Sequence, residues 1–297
     1  MQDTAPIAII GLGLIGTALS ERLIDADVPV IGFDVDPARC LNLQAAGGKI
    51  AASVHELAAR SRILVVAVYS GMQAETVLRE IADGAGSQRR TVICMTTCAP
   101  DEMARLCERA ANAGIALIEA PVSGTSAEVR DGSAVTLLAA EPSLIESIGM
   151  LLDILCPNRL RVGAVGDASR TKLAINLILQ ANRAALAEGI AFAEVLGLDG
   201  RTFLATARAS AAYSRVMETK GEKMLARDFR PQSHIAQTLK DAELILEEAE
   251  RRGLPLPITT AQAGLLREAI AVEGPHSDSA AVIAAIRPRA AVSGALR

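Results

Sequence analysis

Gly11, Gly13 and Gly16 in "IAIIGLGLIGTALS", with Asp34 closing the later run "VPVIGFD", have the types and spacing to hold a dinucleotide. Each glycine has its own task. Gly11 turns the chain off a strand, Gly13 lets backbone N–H groups approach a pyrophosphate, and Gly16 lets the next helix pack close to the strand. Leu12, Leu14 and Ile15 fill out the same cradle, and the helix start beyond them offers donors and partial positive charge to phosphates. Asp34 at the end of the second strand can accept both hydroxyls of an adenosine ribose. A 2′-phosphate there would meet a like charge, a repulsion on the order of a few kcal/mol at about 4 Å. Arg39 could pair with such a phosphate, but Asp34 and Asp36 stand ahead of it. These residues predict NAD in preference to NADP.

A second constellation lies far along the chain. At 100° per residue, Lys172, Asn176, Gln180 and Arg183 fall within about an 80° sector of a helix whose other faces are almost all Ala, Leu, Ile, Val and Phe. Such a stripe faces another polar surface or a cleft. Read as lying in the first turn of a helix beginning at Ser169, Lys172 opposes the helix dipole, so something other than helix stability keeps it there. The plain alternative is a solvated lysine at a helix end, and Lys240 has the same alternative.

The elements that must position these groups follow from periodicity. After the first β-α-β unit, "SRILVVAV", "RTVICMTT", "IALIEAPVSG" and "AVTLLAAE" read as strands, and "AETVLREIADGA" and "APDEMARLCERAANAG" as helices. The alternation predicts an α/β class fold, a doubly wound, mostly parallel sheet with ligands beyond the carboxyl ends of its strands. Thr96, Thr97, Ser123 and Gly124 sit at such ends. From Ser169 to Leu196 runs one long helix with no proline, apolar nearly all round. Beyond it every segment reads as helix, with loops at "GLDG", "RDFRPQS" and "RGLPLP". The expected domains are 1–162, a Rossmann-type dinucleotide-binding unit, and 163–297, all helical.

Composition narrows the partners. The 297 residues carry a net charge of −4, and aromatics make up 2% with no Trp, so base-stacking platforms and duplex-binding patches are not expected and the partner is a small molecule. The longest apolar run, Ile63 to Tyr69, is far short of the roughly 20 residues that span a bilayer. A strand follows close on Met1 with no basic leader, so a cytoplasmic location is expected, with reduced thiols. Cys94 and Cys98 lack a second Cys or His pair nearby, and no metal site is expected. His55 and His276 read as surface residues, and His234 as core or surface in preference to cleft.

The whole chain resembles the β-hydroxyacid dehydrogenase family. The resemblance rests on "GLGLIG", on "EAPVSGT" where the family writes D-A-P-V-S-G-G, on "GAVGDASRTKLAIN", and on "LKDAELILEEAERRGLPLP". It implies that Lys172 is the catalytic acid/base, that Asn176 binds substrate, that the Ser123–Gly124 turn holds the substrate carboxylate, and that Lys240 lies near the nicotinamide. Val68 and Tyr69 stand where the family usually has Leu-Pro beside the cofactor. Other departures are Cys94 for Asp, Thr125 and Ala168 for Gly, and Ile175 for Asn. The implied reaction is hydride transfer between NAD and a small 3-hydroxy acid, with the proton passing to a lysine held beside a positive nicotinamide. Thr125 should narrow the pocket and add a hydrogen-bonding group, favouring a polar acid such as threonate or glycerate over 3-hydroxyisobutyrate. An imine reductase on the same scaffold is weakened because those relatives generally replace the lysine. A non-catalytic NAD-binding protein is weakened by the joint presence of Lys172, Asn176, Ser123 and Lys240. Relatives are dimers or tetramers, so a homo-oligomer is expected.

Overall fold

The computed structural model describes residues 5–84 and 88–287. Two compact units divide the chain, Met1–Ala174 and Ile175–Arg297.

In the first unit, β1 (Ile7–Ile10) leads through the glycine loop into α1 (Leu14–Asp25) and β2 (Val30–Phe33). Next come α2 (Pro37–Ala45), β3 (Lys49–Ile50), α3 (Val54–Arg60), β4 (Ile63–Val66), α4 (Gly71–Gly84), β5 (Arg90–Cys94), α5 (Pro100–Asn112) and β6 (Ile115–Glu119). The expected helix "AETVLREIADGA" falls in α4, and its last residue, Ala85, lies outside the described residues. The unit closes with β7 (Val122–Ser123), α6 (Ser126–Asp131), β8 (Val135–Ala139), α7 (Pro142–Ser147), α8 (Gly149–Leu155) and β9 (Arg159–Gly163).

The strands order as β3-β2-β1-β4-β5-β6-β8-β7, with β9 on β8. The pairs from β3 to β6 are parallel, while β8 runs antiparallel to β6 and β7. Strand alternation splits the core between two faces. Ile7 and Ile9 pack in the cluster of Leu19, Leu23 and Ile118, whereas Ala8 and Ile10 pack in that of Leu57, Leu78 and Leu106. Near-continuous apolar strands are what burial on both faces requires.

The long helix α9 spans Asp167–Val195, two residues earlier at its start than the sequence reading, so Lys172 lies in its second turn and not its first. The earlier start has two causes. Asp167 Oδ2 accepts the Ala164 N–H at 3.0 Å, and Glu119 accepts the N–H groups of Gly166 and Ser169.

The second unit contains most of α9, then α10 (Gly200–Ala209), α11 (Arg215–Ala226), α12 (Ile235–Arg251), α13 (Pro257–Glu273) and a 3-10 helix over Ser279–Ala285. Its core gathers Leu186, Ile190, Leu204, Met224, Ile235, Leu266 and Ile283. One break was not anticipated, between α10 and α11. There Ser210 turns extended and its Oγ accepts the Ala212 N–H at 3.1 Å, a local bond that competes with the helix ladder. A buried ion pair ties α11 to the 3-10 helix, with Lys220 Nζ at 2.7 Å and 2.9 Å from the two oxygens of Asp278. No described helix is long and apolar enough to cross a membrane, and no described cluster of His, Cys, Asp and Glu could hold a metal ion.

Candidate active site

The glycine loop is shaped by contacts that side chains would destroy. Gly11 has φ +89°, and a Cβ there would lie 2.5 Å from the Ala67 carbonyl oxygen. A Cβ on Gly16 would lie 1.8 Å from the Gly11 carbonyl oxygen, so α1 meets the loop at a distance only glycine permits. Gly13 is open by contrast, its nearest neighbour being Arg39 Nη1 at 3.8 Å from a built Cβ. α1 starts at Leu14 with Gly13 as N-cap and no side-chain cap, which leaves first-turn N–H donors for a ligand. Leu12 is buried, and Ile15 packs against the core. An open cradle with uncapped donors fits a dinucleotide pyrophosphate.

Asp34 is buried and already engaged. Its Oδ2 accepts the Leu12 N–H at 2.7 Å and lies 3.3 Å from Arg39 Nη1, while Oδ1 accepts the Asp36 N–H at 2.9 Å. The carboxylate thus fixes the glycine loop to the end of β2. Arg39 also reaches Asp36, Nε to Oδ2 at 3.4 Å, so both acids that stood ahead of it share its charge. An ionised carboxylate has about four acceptor positions, and three are in use. Holding a ribose diol would require Arg39 to turn away, which a side chain 47% exposed can do.

Val68 and Thr96 meet at the ends of β4 and β5: the Val68 N–H donates to Thr96 Oγ1 at 3.2 Å, which donates to the Val68 carbonyl at 3.1 Å. Thr97 is half-buried and Tyr69 exposed, the Tyr69 N–H donating to Gln73. Ser123 ends β7 half-buried, and Gly124 is required by packing, since a Cβ there would lie 2.8 Å from that of Ala134. Thr125 departs from expectation. Its hydroxyl caps α6, accepting the Glu128 N–H at 3.2 Å and donating to Glu128 Oε2 at 3.1 Å, so the extra hydrogen-bonding group read from the sequence is spent within the turn.

Two carboxylates with no role in the sequence reading organise α9. Glu119, fully buried at the end of β6, accepts the Gly166 N–H and the Ser169 N–H, each at 2.6 Å, and the Ser169 hydroxyl. Burial pushes its carboxyl above the usual range, against the pull of these donors. It is a cap supplied from a distant strand, three residues before Lys172. Asp241 on α12 accepts from Asn176 Nδ2 at 2.9 Å and pairs with Lys240 at 2.9 Å. An acid at the end of an apolar strand, and one directly after Lys240, were the available signals.

Lys172 is buried, and Asn176 follows one turn later on the same helix, also buried. Gln180 donates to the Thr238 carbonyl at 3.1 Å and accepts from Gln262 at 2.8 Å. Thus in the first unit the glycine loop meets Asp34, and Val68 meets Thr96. In the second, Asp241 joins Asn176 to Lys240. His234 bonds the His276 carbonyl through Nδ1 at 2.8 Å, and His55 and His276 are exposed.

Residues 6–163 match the family model of the NAD-binding domain of 6-phosphogluconate dehydrogenase, and residues 166–286 that of the NAD-binding domain of NADP-dependent 3-hydroxyisobutyrate dehydrogenase. The chain is 29% identical to 2-hydroxy-3-oxopropionate reductase of Escherichia coli over 94% of its length and 96% of the relative's. It is 28% identical to L-threonate dehydrogenase of Cupriavidus necator, covering 93% of this chain and 94% of that one. The fold matches the crystal structure of a 3-hydroxyisobutyrate dehydrogenase from Salmonella typhimurium at a TM-score of 0.85, with 24% identity, 94% of this chain and 98% of that chain.

Proposed function

The chain belongs to the β-hydroxyacid dehydrogenase family, and from that premise we propose that it transfers a hydride between NAD and a small 3-hydroxy acid, with Lys172 as general acid/base. The observation that carries the reading is the buried polar face of α9, on which Lys172 is followed one turn later by an Asn176 whose amide Asp241 holds. Burying such groups is costly unless they are bonded or used.

In this reading the loop from Gly11 to Gly16 and the start of α1 hold the pyrophosphate. Asp34 takes the adenosine ribose, and Val68, Tyr69, Thr96, Thr97 and Lys240 lie along the cofactor. When bound, the nicotinamide supplies the hydride acceptor or donor. Ser123 Oγ and the Gly124 N–H hold the substrate carboxylate without an arginine, the Thr125 N–H being taken by Glu128 Oε2 at 2.8 Å. Lys172 Nζ takes the proton of the substrate hydroxyl as the alcohol becomes a carbonyl, and returns it in reduction. Asn176 Nδ2 gives one of its two N–H groups to Asp241, which leaves the other to donate to the oxygen of that hydroxyl and orient it. The proposed domains are 1–162, which binds NAD and carries the Ser123 turn, and 163–297, an all-helical substrate and dimerisation unit, in a cytoplasmic homodimer or homotetramer.

NAD is favoured over NADP because Asp34 and Asp36 put two carboxylates against one Arg39 at the end of β2. The substrates proposed are 3-hydroxyisobutyrate-like acids and more polar ones, threonate and glycerate or tartronate semialdehyde, in keeping with the names of the relatives. The test is NADH formation across a panel of 2- and 3-hydroxy acids, in the unaltered protein and in Lys172→Ala. Turnover of at least one acid that Lys172→Ala abolishes is expected. No turnover of any acid, with NADH still bound, would refute the enzymatic reading.

A further inference from the structure

Arg183 carries a buried positive charge with no ion-pair partner of its own among the described residues. Its side chain is 7% exposed, and its one hydrogen bond among the described residues is a long one, Nη1 to Thr238 Oγ1 at 3.5 Å. Nε is buried without a partner. The carboxylates that act on it, Asp241 and Asp278, each hold a cation of their own: Lys240 at 2.9 Å and Lys220 at 2.7 Å. Among the described residues no carboxylate pairs with Arg183 itself. Burial alone pushes the guanidinium down to about 10 despite those acids.

Buried polar groups in native proteins are satisfied, and an unpaired buried ion is strongly unfavourable, so an orphan of this kind marks a ligand position. The shape of the orphan edge says which ligand. With Nη1 turned to Thr238, the side of the guanidinium bearing Nε is left, and that edge takes a carboxylate side-on through two parallel N–H···O bonds. The surroundings are equally polar. Gln180 lies on the same helix, and Gln262 Oε1 is a second buried atom with no partner.

Position along α9 relates this edge to the proposed substrate face. Arg183 follows Asn176 by seven residues, within about 20° of the same face and about 10 Å along the axis. Long helical side chains lean toward the N-terminus, which brings the guanidinium back toward Asn176. We propose that Arg183 binds a second carboxylate of the substrate, making the preferred substrates small hydroxy dicarboxylic acids. This deepens the dehydrogenase reading and rests on it.

The experiment uses a matched pair, 3-hydroxyglutarate and 3-hydroxypentanoate, which differ by a carboxylate in place of a methyl group. The unaltered full chain should favour 3-hydroxyglutarate by at least about tenfold in kcat/KM, and Arg183→Gln should bring that ratio close to one. Glutarate, which cannot be oxidised, should raise the melting temperature of the unaltered protein and leave that of Arg183→Gln unmoved. If Arg183→Gln does not fold, Arg183→Lys keeps the charge and loses the side-on edge, and should still lower the ratio several-fold. A ratio near one in the unaltered protein, or one that neither variant changes, overturns the proposal. A glutarate shift dependent on Arg183 without NAD-linked turnover of either acid keeps the carboxylate site and refutes the dehydrogenase reading instead.

Discussion

Glu119→Gln tests whether a distant strand sets the start of the helix that bears Lys172. The carboxylate receives two backbone N–H groups, one on each oxygen at 2.6 Å, and one hydroxyl. Glutamine has one carbonyl oxygen, so one N–H of Gly166 or Ser169 must face an NH2 group. An orphaned buried donor costs about 1–3 kcal/mol, and a lost bond to a charged acceptor about as much. Against this, the variant removes a buried charge that burial already disfavours, the reason the Glu119 carboxyl lies above its ordinary 4.5. The net expectation is a loss of about 2 kcal/mol. For a unit of this size that corresponds to a melting temperature lower by roughly 4–8 °C.

The pH dependence gives a second readout. A carboxyl raised in the folded state binds more protons there than in the unfolded chain, so its contribution is complete below 4.5 and is lost as pH rises through the raised value. Circular-dichroism melts of both proteins from pH 4.5 to 8 should show the advantage of Glu119 shrinking as pH rises. Because Lys172 lies three residues past Ser169, turnover should fall further than NADH affinity, and Glu119→Asp should restore part of it. Equal melting temperatures within about 1 °C at every pH, with unchanged turnover, would refute the argument.

Other substitutions separate the remaining roles. Lys172→Ala should lower turnover by about 10²–10⁴-fold with little change in NADH binding by fluorescence titration, and near-normal turnover would remove Lys172 from the chemistry. Asp34→Ser releases both the Leu12 N–H and Arg39, so the kcat/KM ratio of NAD to NADP should fall at least tenfold, and an unchanged ratio would show that charge at the end of β2 does not select the cofactor. Asp278→Asn leaves Lys220 buried without its full counter-charge and should cost about 3–5 kcal/mol in urea unfolding, whereas a loss below about 1 kcal/mol would mean the pair is not a staple of the helical unit.

How much of this could be read from residue order depends on the range of each interaction. The glycine loop was legible because a strand, a turn and a helix follow one another directly, and the polar face of α9 because helical periodicity places Lys172 and Asn176 together. The Thr125 cap is equally local, a T-x-x-E box in "TSAE", but the same threonine also stands at a position read as lining the pocket, and the two roles compete for one hydroxyl. Arg39 required the turn into α2, which brings it back against Asp34. Glu119 and Asp241 were beyond reach for a different reason. One acts on α9 from 47 residues upstream and the other from 65 downstream, and nothing in the order of the 34 acidic residues says which will find an amide to hold. A helix can thus bring the proposed acid/base lysine into view through its own period, while the groups that hold its start and Asn176 are set by topology. Variants of Glu119 and Asp241 should therefore move the geometry of the site without touching its chemistry, whereas a variant of Lys172 does the reverse.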